Sequence, residues 1–132
     1  MRGRSILVTL AAVFASTAVQ SHHTFATEYE RTQMLTIDAV VTGVHFQNPH
    51  VRLDLLATVA DGAPQVWVAN SVSPGALANR GWLADTIAVG DRITLHGNLG
   101  SHEARRLWIQ TLTLASGAAI YPVGRVSAPD DN

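Results

Sequence analysis

Residues 50–60, HVRLDLLATVA, alternate with a period of two. Val51, Leu53, Leu55, Ala57 and Val59 fall on one face, and His50, Arg52 and Asp54 on the other. Successive side chains of a β-strand point to opposite sides, so this segment reads as a strand with one dry and one wet face. Such a strand needs neighbours along its edges and an apolar layer over its dry face. Antiparallel sheets meet that demand with short connections, which sets the fold class before any other feature is considered.

The rest of the chain supplies the neighbours. Thr36–Gln47 (TIDAVVTGVHFQ) is rich in β-formers, with Gly43 marking a bulge or a close backbone approach. Asn48-Pro49 is a turn signal, as is Asp61-Gly62 before the strand Gln65–Asn70. Ser73-Pro74 reads as the N-cap and first position of a short helix, Gly75–Asn79, which Gly81 ends. Trp82-Leu83 follow as apolar plugs. Gly90-Asp91 leads into Arg92–Asn98, where Ile93 and Leu95 share one face and Thr94 and His96 the other.

Gly100-Ser101-His102-Glu103 is a loop. In Arg105–Leu114 the apolar parity changes between Leu107, Ile109 and Leu112, Leu114, which a bulge near Gln110 reconciles. Ala118–Val123 adds a short edge strand. Five to six strands with one short helix between the third and fourth predict a small all-β, OB-fold-like antiparallel barrel. A six-stranded sandwich is the alternative. The expected organisation is a signal peptide over 1–21, an extended N-terminal arm over 22–35, the barrel over 36–123 and a disordered tail over 124–132.

The first segment carries two arginines, Arg2 and Arg4, ahead of the apolar run Ile6 to Val19. That is the layout of a secretory signal, and the run is shorter than the roughly 20 residues a membrane-spanning helix takes. Small residues permit cleavage before Val19 (Ser16, Ala18) or before His22 (Val19, Ser21). The expected location is the periplasm or outside the cell. Cleavage before His22 leaves seven arginines against ten carboxylates, a formal charge of −3. A mildly acidic domain lacks the basic surface that nucleic-acid binding requires.

With no cysteine in 132 residues, disulfides, thiolate metal sites and thiol catalysis are all excluded. Six histidines remain as the chemically notable residues. His22 and His23 stand together on the arm. A mature chain beginning at His22 would chelate through its α-amine and its own imidazole, and a third nitrogen would complete an N₃ site suited to Cu(II). Zinc and nickel rank behind copper for such a donor set. His50 and His45 flank the Asn48-Pro49 turn and are the next candidate ligands. His96 and His102 have weaker claims. Each of these histidines also has an ordinary reading as a solvated or hydrogen-bonded side chain.

Catalytic signatures are missing from the sequence: there is no G-x-S-x-G, no P-loop and no H-E-x-x-H. Glu28 and Glu30 read as solvated carboxylates. Trp67, Trp82 and Trp108 read as core and rim rather than as a stacking platform.

Several short motifs occur in combination: His22-His23-Thr24-Phe25-Ala26, Glu28-Tyr29-Glu30, Thr42-Gly43-Val44, Asn48-Pro49-His50, Ser73-Pro74, Arg80-Gly81-Trp82 and Gly90-Asp91, with Trp67 and Leu77 between. In these the chain resembles, from His22 to about Gly117, a family of small exported bacterial proteins classed as a domain of unknown function. The resemblance implies an export signal joined to a compact β-barrel, and no activity. A departure falls at Leu99-Gly100-Ser101-His102, where an Asp-Gly turn is expected.

The expected function is therefore a periplasmic, non-enzymatic copper-binding protein using His22, His23, His50 and His45. An OB-like module that binds a periplasmic protein partner without metal is the alternative, and a copper-dependent oxidative enzyme is a third reading.

Overall fold

A computed structural model describes residues 28–60 and 62–125. Residues 1–27, over which the signal peptide is expected and which include His22 and His23, lie outside that range, as do Asp61 and residues 126–132. Six strands form one sheet: β1 (Tyr29–His45), β2 (Arg52–Thr58), β3 (Gln65–Asn70), β4 (Arg92–Gly100), β5 (Arg106–Leu114) and β6 (Ala119–Ile120). One short helix, α1 (Pro74–Ala78), stands between β3 and β4.

The strand order is β3-β2-β1-β4-β5-β6, all antiparallel, and β3 also pairs in parallel with β5. That last pairing joins the two ends of the five-strand series into a ring, the order expected of an OB-like fold. It removes the sandwich alternative. The free edge of β5 is shared, with β3 alongside Arg106–Trp108 and β6 alongside Leu112 and Thr113. Closure in this way leaves little strand edge open to other chains.

The dry face foretold by the alternation in β2 is the interior of the ring. Leu53, Leu55 and Ala57 are fully buried, and they meet Val41, Trp67, Ala69, Leu95, Leu107 and Ile109 in one core. Each such Leu or Ile contributes about 1.5–3 kcal/mol against exposure. The helix adds Leu77, and Trp82 follows it into the same core. Ser73 caps α1 through its Oγ, which accepts from the Ala76 amide at 3.4 Å, with Pro74 in the first turn. Of the expected plug Trp82-Leu83, only the tryptophan is internal; Leu83 stays exposed.

Both expected bulges are present. Pairing of β1 with β2 slips between Val41 and Gly43, and pairing of β4 with β5 slips between His96 and Gly97, skipping Gln110. The β4–β5 connection holds a 3₁₀ turn, Ser101–Glu103, rather than an open loop.

The largest difference from expectation is where β1 begins. Tyr29–Leu35 falls within the extended arm expected over 22–35, yet these residues already belong to the strand, with Tyr29 opposite Gly100 and Met34 opposite Asn98. The segment lacks a two-residue period because the register slips between Tyr29 and Met34, so no single face stays dry along it.

Candidate functional site

One row of paired positions runs around the ring: His45, Arg52, Asn70, Trp108, Asn98 and Met34. In β5 the neighbours Leu107 and Ile109 are buried inside, so Trp108 between them stands on the outer face. The start of β1 packs against it there. Tyr29 is 3% exposed, and its ring meets Trp108 edge-on at 5.7 Å between centroids. Asn70 Nδ2 donates to the Tyr29 hydroxyl at 2.6 Å. Burial pushes the Tyr29 phenol above its ordinary pKa, against the opposing bond from Asn70, so the ring stays neutral near pH 7.

The second partner of Trp108 is His50, also edge-on, at 5.6 Å and an interplanar angle of 83°. Edge-to-face pairs place the positive ring edge on the negative π-face and are worth about 0.5–1.5 kcal/mol beyond the area buried. Tyr29 and His50 are thus carried by one indole. Just upstream, Glu28 Oε2 lies 3.5 Å from Arg106 Nη1, which ties the end of the arm to β5. A cleft of about 410 Å³ opens beside these groups, lined by Glu28, Arg52, Val68, Asn70, Arg105 and Arg106.

His45 takes a different partner. Its Nε2 lies 2.7 Å from Asp54 Oδ2, while Arg52 donates to Asp54 Oδ1 through Nε at 2.9 Å and pairs with the same oxygen through Nη2, also at 2.9 Å. The hydrogen bond from His45 is the main reason the Asp54 carboxyl sits below its usual pKa; burial opposes it and Arg52 adds to it. An ionised Asp54 only accepts, so Nε2 carries the proton and a neutral His45 has its lone pair on Nδ1.

The expected ligands therefore separate. His22 and His23 lie outside the described residues. His50 stands on Trp108 beside the start of β1, and His45 is held on Asp54, with Arg52 and Asn70 between it and Trp108 along the row. Among the described residues no three of His, Asp or Glu gather in a metal-holding group. His96 pairs through Nδ1 with Thr36 Oγ1 at 2.8 Å, and His102 is exposed in the 3₁₀ turn.

Sequence reasoning placed Arg52 and Asp54 on the wet face with His50 but gave them no role in a site, and it missed Tyr29, Asn70 and Arg106 as parts of this face. Trp108 left a usable signal, since its position between two inward leucine and isoleucine residues already turns it outward. The pairing of His45 with Asp54 left none, because it depends on the register slip at Gly43.

No helix among the described residues is long and apolar enough to cross a membrane. No curated protein and no solved structure matches the chain. A match does cover residues 10–106, ending at the first residue of β5, and by it the chain belongs to the family described as "Family of unknown function (DUF6152)".

Proposed function

We propose that this chain is an exported metal-binding protein that holds a copper ion on the outer face where its arm joins the ring. His22 and His23 are the primary ligands, and His50 supplies the third nitrogen. The supporting observation is that Trp108 carries both Tyr29 and His50, at 5.7 and 5.6 Å. His23 precedes Tyr29 by six residues, a span of about 20 Å when fully extended. That reach is ample for the arm to fold back to His50. Cleavage before His22 adds the α-amine to the donor set, and a nitrogen-rich tetragonal set favours Cu(II) over Ni(II) and Zn(II). His45 keeps Nδ1 without a hydrogen-bond partner among the described residues, but its place beside Asp54 sets it apart from this group.

Competition with a chromophoric chelator tests the reading on the mature chain beginning at His22. One Cu(II) binds per chain, and the double variant His22→Ala/His23→Ala weakens binding at least a hundredfold. His50→Ala weakens it about tenfold. Equal affinity of the double variant and the wild type overturns the proposal.

A second reading rests on the cleft lined by Arg52, Arg105 and Arg106, where Arg105 has no ion pair among the described residues. In that reading the face takes an acidic protein partner without metal. Capture of a partner that persists in a chelator and is lost in Arg105→Ala favours it over copper binding.

A further inference from the structure

The segment that begins β1 contributes to a second concavity with different chemistry. Glu28 lines the cleft described above, whereas Arg31 and Met34 line one of about 620 Å³ with His96, Asn98, Gln110, Thr111, Tyr121 and Arg125. Among the described residues no carboxylate lines this second cleft. Neither Arg31 nor Arg125 forms an ion pair among the described residues. We infer that it is a binding site for a small hydroxycarboxylate, with the carboxylate held between Arg31 and Arg125 and the hydroxyl received by Gln110.

The two cations are mounted on a braced frame. Arg125 lies over the Tyr121 ring, its guanidinium carbon 4.8 Å from the centroid. Stacking on an aromatic face leaves the N–H edge of a guanidinium available for a planar anion. The turn that presents it is fixed at the Tyr121 carbonyl, which accepts from the Gly124 amide at 3.0 Å and from Arg80 Nη1 at 3.2 Å. Gly124 has φ +91°, a left-handed conformation that suits glycine. Arg80 also adds positive charge behind the cleft.

The polar floor explains the choice of ligand. Asn98 is 5% exposed, and its Nδ2 donates to the carbonyls of Glu30 and Arg31 at 3.0 and 3.3 Å. Its Oδ1 accepts from Gln110 Nε2 at 2.7 Å. This chain of bonds fixes the Gln110 amide with Nε2 toward Asn98, leaving Oε1 as an oriented acceptor. An acceptor beside two guanidinium groups calls for a ligand that carries both an anion and a donor. A hydroxycarboxylate has both, whereas a plain dicarboxylate lacks the donor. His96, held through Nδ1 by Thr36, lines the same cleft and adds a further polar side chain to it.

Isothermal titration of the mature, metal-free chain with malate, succinate and inorganic phosphate tests the inference. Malate binds saturably, and succinate, which differs only by the hydroxyl, binds at least fivefold more weakly. Arg31→Gln/Arg125→Gln weakens malate at least tenfold. Both arginines are exposed, so the fold is retained, and an unchanged thermal midpoint verifies that. Arg92→Gln, in a different cleft, leaves malate binding unchanged. The inference is overturned by absence of saturable malate binding, or by equal affinity in the double variant. Phosphate or succinate binding as tightly as malate also overturns it, as does an equal loss in Arg92→Gln.

Discussion

Gly43 in β1 and Gly97 in β4 both stand at a break in strand pairing, and a methyl group added at each would meet a different kind of atom. At Gly97 the new Cβ would sit on the carbonyl oxygen of Trp108, which is backbone of the neighbouring strand and has no room to move. At Gly43 it would come within 2.7 Å of Asp54 Oδ2, the far end of a side chain. The bulge at Gly97 lets the backbones of β4 and β5 approach within the ring. The bulge at Gly43 makes room for the carboxylate that holds His45. The same local device serves the architecture in one place and a polar group on the outer surface in the other.

Substitutions separate the two roles. Gly97→Ala has the largest expected effect, a loss of roughly 3 kcal/mol or more in urea unfolding, or failure to fold, because overpacking against backbone cannot relax. A loss below about 1 kcal/mol would break the distinction. Gly43→Ala costs less, about 1–2 kcal/mol, since the carboxylate can swing aside. In an Asp54→Ala background that cost falls by more than half, a coupling that a double-mutant cycle reads directly. Additive losses would mean that Gly43 serves the backbone too.

Asp54→Asn has the smallest effect, about 0.5–1 kcal/mol at pH 7, as expected of a partly exposed ion pair. Its pH dependence fixes the sign. The folded state lowers the pKa of Asp54, so the pair's contribution is complete above the unfolded-chain value of about 3.9 and is lost as the pH falls through the lower folded value. The gap between wild type and Asp54→Asn is therefore present above about pH 4 and closes in strong acid. A gap that persists undiminished in strong acid contradicts the assignment of an ionised, accepting Asp54.

Both bulges were legible in the chain, one from a glycine within a run of β-formers and one from a parity change between Ile109 and Leu112. The helix was legible for the same kind of reason, since Ser73 and Pro74 act locally. The early start of β1 was not. Tyr29 is buried by Trp108 and Asn70, partners distant in sequence, while the residues that follow it alternate with nothing. The candidate site shares that difficulty. Parity could turn Trp108 outward, but only the parallel pairing of β3 with β5 brings Asn70 beside it. The histidines could be counted and placed near a turn, but strand register sends His45 to Asp54 and the path of the β1–β2 connection sends His50 to Trp108.

The central claim is that the arm histidines and His50 meet at one ion beside Trp108, and quenching of Trp108 fluorescence by Cu(II) tests it most directly. Trp67 and Trp82 belong to the core, so Trp108→Phe isolates the signal of the outer indole. One equivalent of Cu(II) is expected to quench the Trp108 share of the emission in the mature wild-type chain, and that quenching is expected to disappear at one equivalent in His22→Ala/His23→Ala. Quenching that is the same with and without the arm histidines, or that leaves Trp108 untouched when copper is bound, would contradict the account.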